Sequence, residues 1–113
     1  MRALMERVLR GHGALVKSVA SAREALEVLE KERIDVLLSD IEMPGTDRYQ
    51  LILELRLRPS QQGGAVPAAP LTAYARTEDR LRALRAGFQL HLSKPVQPVE
   101  LIMVVASLAA RRR

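Results

Sequence analysis

The chain has 113 residues, no Cys, 48% apolar residues and a formal net charge of +5. That length holds one domain with a single core, and the lack of Cys excludes disulfides and thiolate metal sites and points to a reducing compartment. No stretch approaches the roughly 18 apolar residues of a membrane span, and the first residues lack the charged-then-apolar order of an export leader, so a cytoplasmic location is expected.

Residues 1–10 carry Leu4, Val8 and Leu9 at helical spacing, with Met1 and Met5 on the same side. That stripe predicts an amphipathic helix, and Gly11 and Gly13 would end it by accepting a left-handed backbone. Ala14 to Val19 reads as a short strand. Ser21-Ala22-Arg23-Glu24 is a capping box for a helix running to about Glu32. Ile34 to Ser39 is nearly continuous in apolar residues, as a parallel strand buried on both faces should be. A helix follows from about Asp47 to Leu57, then a loop at Pro59–Gly64. Ala68 to Leu71 is a weaker strand, made odd by Pro70, which removes a ladder donor. Thr77 is placed to cap a helix that stops at Gly87. Gln89 to Ser93 alternates like a half-exposed strand, and a last helix runs from Pro98 to about Ala109.

Helices and strands alternate throughout. The expected architecture is a doubly wound parallel α/β sheet with helices on both faces, about four strands and five helices. Residues 1–110 make the domain, and Arg111–Arg113 make a basic tail or linker stub. The other Arg residues are scattered among acids, which reads as compositional bias. With one Phe, two Tyr and no recognisable motif, the chain has no nucleic-acid signature.

Chemistry gathers at three strand ends. Asp40 closes the second predicted strand and precedes Ile41-Glu42-Met43-Pro44-Gly45. Thr72 closes the third, and Lys94-Pro95 follows the fourth. In open α/β sheets the working crevice lies beyond these carboxyl ends. An aspartate can carry a phosphoryl group as an acyl phosphate, a hydroxyl can donate to a phosphoryl oxygen, and an ammonium can neutralise its charge. A Mg²⁺ ion would bridge such a carboxylate and its phosphoryl group. Taken singly, an Asp after a strand is more often a turn residue, and Thr72 or Lys94 alone would be structural or solvated. Their conjunction carries the reading.

The text L-L-S-D-I-E-M-P-G-T-D at 37–47, L-T-A-Y-A at 71–75, A-G-F at 86–88 and H-L-S-K-P at 91–95 resembles the receiver domain of two-component response regulators and of hybrid sensor kinases. The resemblance covers residues 1 to about 109. It implies a flavodoxin-like fold in which Asp40 is the phosphoacceptor, Thr72 the switch hydroxyl, Lys94 the phosphoryl-pairing amine and His91 a switch residue. It also implies the backbone carbonyl of Glu42 as a metal ligand, a cis Lys94-Pro95 bond, and a histidine kinase or phosphotransfer protein as partner.

The departures are specific. A receiver begins with an apolar strand ending in an acidic pair, and this chain starts inside what would be its first helix. Arg48 stands where Gly is usual, and Pro70 lies in a strand. Four or five missing core residues would forgo about 6–15 kcal/mol, against a net domain stability of about 5–15 kcal/mol. Either a longer natural polypeptide supplies the strand or a homodimer closes the gap. The metal site would lack its acidic pair, so Mg²⁺ is expected to bind weakly or not at all. The leading expectation is a phosphorelay receiver with impaired chemistry, catalysing at most its own phosphorylation and dephosphorylation. The alternatives are a receiver-like interaction domain that is never phosphorylated, and an aspartate-nucleophile phosphatase suggested by Asp40-Ile41-Glu42. The phosphatase lacks further acids after Lys94 except Glu100.

Overall fold

The stripe at Met5, Val8 and Leu9 winds into α1 (Arg2–Gly11). A computed structural model describes residues 2–41, 49–73 and 76–111. Beyond Gly11 the chain turns through Gly13 at φ +87°. The amides of Gly13 and Ala14 return to the carbonyls of Arg10 and Leu9, both at 3.1 Å, which satisfies the helix end. The second helix, α2 (Ala22–Lys31), starts at the Ser21 cap expected from the sequence. The Ser21 hydroxyl accepts from the Glu24 amide at 3.1 Å and donates to the Glu24 carboxylate at 3.3 Å.

The remaining elements follow in alternation. They are β1 (Leu37–Asp40), α3 (Gln50–Arg56), a 3-10 turn (Ser60–Gln62), β2 (Ala68–Thr72), α4 (Thr77–Ala86), β3 (Leu92–Ser93) and α5 (Pro98–Arg111). The sheet is parallel in the order β1-β2-β3. All five residues of β2 are buried, as the middle strand of a covered sheet should be.

Successive side chains of a strand point to opposite faces, and here that rule separates two cores. Leu37 packs with Leu26, Leu29, Ile52, Leu55, Val66 and Phe88, under α2 and α3. Leu38 packs with Leu71, Leu92, Leu101 and the α1 stripe, under α1 and α5. The fold is a flavodoxin-like α/β sandwich with helices on both faces.

Several details differ from the sequence expectations. Ala14 to Val19 joins no ladder, so three strands rather than about four make up the sheet among the described residues. Among the described residues no strand pairs with this segment, and Leu15 is fully exposed. Thr77 is the first helical residue and not the cap. Arg76 holds the cap position and offers no side-chain bond there. The helix expected from Asp47 begins at Gln50; Asp47 and Arg48 lie outside the described residues. The last helix runs through Arg111, into the stretch expected as tail.

The fourth predicted strand shrinks to two residues, and Pro70 shows why. Ala68 and Thr72 direct their carbonyls toward β3, accepting from the amides of Gln89 (2.9 Å) and Lys94 (2.8 Å). Pro70, of the same parity, would point its missing N–H to that side. The β2–β3 ladder is registered from Leu71↔Leu92 onward, just beyond the gap. The Gln89 side chain takes over in front of it, accepting from the Ala68 amide at 2.7 Å. Pro70 is thus tolerated in a central strand because its missing donor falls where no ladder is needed.

One glycine is fixed by close approach. A Cβ on Gly64 would overlap the carbonyl oxygen of Arg58, which is backbone and has little room to yield. Gly64→Ala is expected to destabilise the fold by about 1–3 kcal/mol, read as a lowered urea midpoint. Gly11→Ala, where a Cβ meets nothing within 4 Å, serves as the control and should shift it by less than about 0.5 kcal/mol.

Candidate functional site

Strand register builds the site as a staircase. Asp40 lies opposite Leu71, so Thr72 stands one residue further along the rim. Thr72 lies opposite Ser93, so Lys94 stands one residue further again, its amide donating to the Thr72 carbonyl at 2.8 Å. The three residues singled out in the sequence therefore stand at the same carboxyl edge. The Lys94 ammonium reaches back across β2 and donates to both carboxylate oxygens of Asp40 at 2.9 Å. The two side chains retain a quarter and a third of their exposure. Thr72 is buried, and the Lys94-Pro95 bond is cis. Ile41 anchors the chain just past Asp40: it is buried, and its amide donates to the Leu71 carbonyl at 3.3 Å.

His91 precedes β3 by one residue and is half-buried. Glu42, expected to offer its carbonyl to a metal, lies outside the described residues. Among the described residues no three His, Cys, Asp or Glu side chains gather as a metal set. Mg²⁺ demands near-ideal octahedral oxygen geometry. Among the described residues Asp40 is the rim group that could offer oxygens to such an ion, and both of those oxygens accept from the Lys94 ammonium.

The sequence reading missed the clamp behind the site. Arg56, at the end of α3, donates to the Gly87 carbonyl at 2.9 Å, the Gly64 carbonyl at 3.0 Å and the Gln89 side-chain oxygen at 3.2 Å. Burial pulls its guanidinium below the usual arginine value; arginine stays charged in proteins regardless. This one side chain joins α3 to the loops that launch β2 and β3. The signal available was an Arg at a predicted helix end facing two Gly-containing turns, and it is lost among many other Arg residues. Tyr49 and Phe88, ring centroids 6.5 Å apart and tilted by 59°, add a second tie between the start of α3 and the end of α4.

The family model of the response regulator receiver domain matches residues 1–106. The chain belongs to this family. A 14.6 kDa protein of Leptolyngbya boryana is 47% identical over 104 residues, which is 92% of this chain and 78% of that protein. The sensor histidine kinase RcsC of Salmonella typhi is 37% identical over 112 residues, 99% of this receiver and 11% of the kinase, so the chain spans about a tenth of such relatives. A response regulator structure from Chloroflexus aurantiacus superposes with a TM-score of 0.86 at 34% identity, covering 97% of this chain and 88% of that one. The receiver domain of the sensor kinase PA1611 from Pseudomonas aeruginosa superposes at 0.83 with 32% identity, covering 96% and 88%. That structure has a magnesium ion coordinated in its active-site cleft. Receivers are signalling modules of two-component systems, and this receiver shares their parallel α/β architecture with helices on both faces of the sheet. No helix among its described residues is long and apolar enough to cross a membrane.

Proposed function

We propose that this receiver takes a phosphoryl group on Asp40 from a phosphohistidine of a histidine kinase or phosphotransfer protein in the cytoplasm. A carboxylate oxygen of Asp40 would attack phosphorus as the P–N bond breaks, and the imidazole would leave with that electron pair. Lys94 would hold the phosphoryl oxygens, Thr72 would donate a hydrogen bond to one of them, and His91 with the β3–α5 surface would follow the new charge. The observation that carries this reading is the Lys94 ammonium at 2.9 Å from both Asp40 oxygens, one step along the rim from Thr72. An apolar cleft of about 290 Å³ adjoins the rim, lined by Leu4, Met5, Val8, Pro95, Val96 and Leu101. It supports partner contact beside the Lys94-Pro95 turn.

The lone rim carboxylate among the described residues favours weak Mg²⁺ binding and slow phosphorylation in this 113-residue chain. It also supports a second reading, an interaction domain that is never phosphorylated. Incubation with acetyl phosphate, with and without Mg²⁺, separates them by the mass of the intact protein. The receiver reading expects a slow gain of one phosphoryl group that Asp40→Asn abolishes. No gain under either condition, nor from a phosphorylated histidine phosphotransfer domain, would favour the interaction domain. Fast incorporation with steep Mg²⁺ dependence would overturn the impairment.

A further inference from the structure

Thr72 springs from the face of the sheet opposite to the ion pair. Successive side chains of a strand alternate between faces. Leu38 and Leu92 pack in the core under α1 and α5, so Asp40 and Lys94, two residues further along their strands, start from that face. Ala68 packs in the core under α2 and α3, so Pro70 and Thr72 start from the other. To serve a group on Asp40, the Thr72 hydroxyl has to be turned over the end of β2. A side chain has three staggered wells about χ1, and a neighbour has to select the productive one.

Ser93 stands where such a neighbour is needed. It lies opposite Thr72 in the β2–β3 register. Following Leu92, it starts from the same face as Thr72. Neighbouring strands lie about 4.8 Å apart, so rotation about χ1 is enough to bring two hydroxyls on directly opposite residues into hydrogen-bond range. Thr72 is buried, whereas Ser93 is only partly covered, which leaves its hydroxyl room to turn. The sheet order β1-β2-β3 then sets Thr72 between Ser93 on one side and Asp40 on the other.

We propose that Ser93 is a positioning residue for phosphoryl transfer, its hydroxyl donating to the Thr72 oxygen from the β3 side and so turning the Thr72 O–H across β2 toward Asp40. This rests on the reading of Asp40 as the phosphoacceptor. A hydroxyl has one proton to give and lone pairs to receive with. Once the Thr72 oxygen accepts from Ser93, its own proton is left to point toward β1, where an oxygen of the incoming phosphoryl group would lie. The same bond polarises the Thr72 O–H and strengthens its donation. Both protons stay on their own oxygens throughout. In the resting protein the chain of donors has no phosphoryl oxygen to end on, and it closes when one arrives. A direct bond from Ser93 to the phosphoryl group fits less well, because β2 and Thr72 stand between them.

The test follows phosphoryl gain from acetyl phosphate by intact-protein mass, in the full chain and its variants. Ser93→Ala is expected to slow incorporation about three- to tenfold, the size of one hydrogen bond, with an unmoved urea midpoint. Ser93→Thr keeps the hydroxyl and should return the rate to within about twofold of the unsubstituted chain. Ser93→Val has the shape of threonine without its hydroxyl and should stay slow. In a Thr72→Ala background, Ser93→Ala should change the rate by less than about twofold, because it acts through Thr72. An unchanged or faster rate in Ser93→Ala, rescue by valine, no rescue by threonine, or an undiminished effect of Ser93→Ala without Thr72 would each overturn the proposal and leave Asp40 as the phosphoacceptor. No incorporation into the unsubstituted chain, from acetyl phosphate or from a phosphorylated histidine phosphotransfer domain, would overturn the phosphoacceptor reading and this inference with it.

Discussion

Arg56→Met is expected to lower the stability of this receiver by about 2 kcal/mol. Met has nearly the helix propensity of Arg and keeps most of the side-chain stem, so α3 itself should persist. What disappears is the cation. Its three bonds reach the Gly87 and Gly64 carbonyls and the Gln89 amide oxygen. A hydrogen bond to a charged group contributes about 1.5–3 kcal/mol, and a buried acceptor left without its donor costs about 1–3 kcal/mol. These figures do not add for groups in one network, which sets the total nearer the middle of the range. The Gln89 oxygen would keep its bond from the Ala68 amide. Both carbonyls would lose the guanidinium, and Gly87 sits so tightly on the Arg56 stem that a Cβ there would come within 2.8 Å of its Cγ. Urea melts of the two proteins measure the difference, with Arg56→Lys recovering part of it. A loss below about 1 kcal/mol would mean that the turns before β2 and β3 hold themselves in place.

The legible parts of the sequence were those where one local rule decides the outcome. The nearly continuous apolar run before Asp40 reads as a strand covered on both faces, and its adjacent leucines do pack against opposite cores. Ser21 and Glu24 announced a helix start through short-range hydrogen bonding alone. The rim was legible for the same reason: a parallel sheet brings all its carboxyl ends to one side, so three residues after three apolar runs converge.

Less legible were features set by distant neighbours. Ala14 to Val19 has the residues of a strand, yet a strand exists only against a partner, and among the described residues no strand pairs with it. Pro70 looked disruptive because the sequence does not say toward which neighbour its missing N–H points. Thr77 has the right chemistry for a cap but stands one position too late in the turn. Arg56 resembled every other Arg until folding brought Gly64, Gly87 and Gln89 around it.

The ion pair at the rim yields the sharpest test of the proposed chemistry. Two unit charges about 4 Å apart attract by about 4 kcal/mol at the effective dielectric of a protein surface, and desolvation with side-chain ordering offsets most of that. With Asp40 and Lys94 each less than one-third exposed, the net coupling is expected near 1 kcal/mol. A double-mutant cycle of Asp40→Asn and Lys94→Ala, followed by urea melts, measures it; a coupling of zero would mean that the pair is not held in solution. On the proposed reading the same amine matters more to phosphorylation than to folding. A phosphoryl group on Asp40 places more negative charge before Lys94 than the bare carboxylate does, so the amine binds the product and the path to it more strongly than the starting state. Only such differential interaction accelerates transfer. Lys94→Ala should therefore slow phosphoryl incorporation from acetyl phosphate by about 10–100-fold, about 1.4–2.7 kcal/mol of barrier, a larger effect than its cost in stability. Lys94→Arg should recover part of the rate through its retained charge. Incorporation at an unchanged rate in Lys94→Ala would remove the amine from the chemistry and leave it only the resting pair with Asp40.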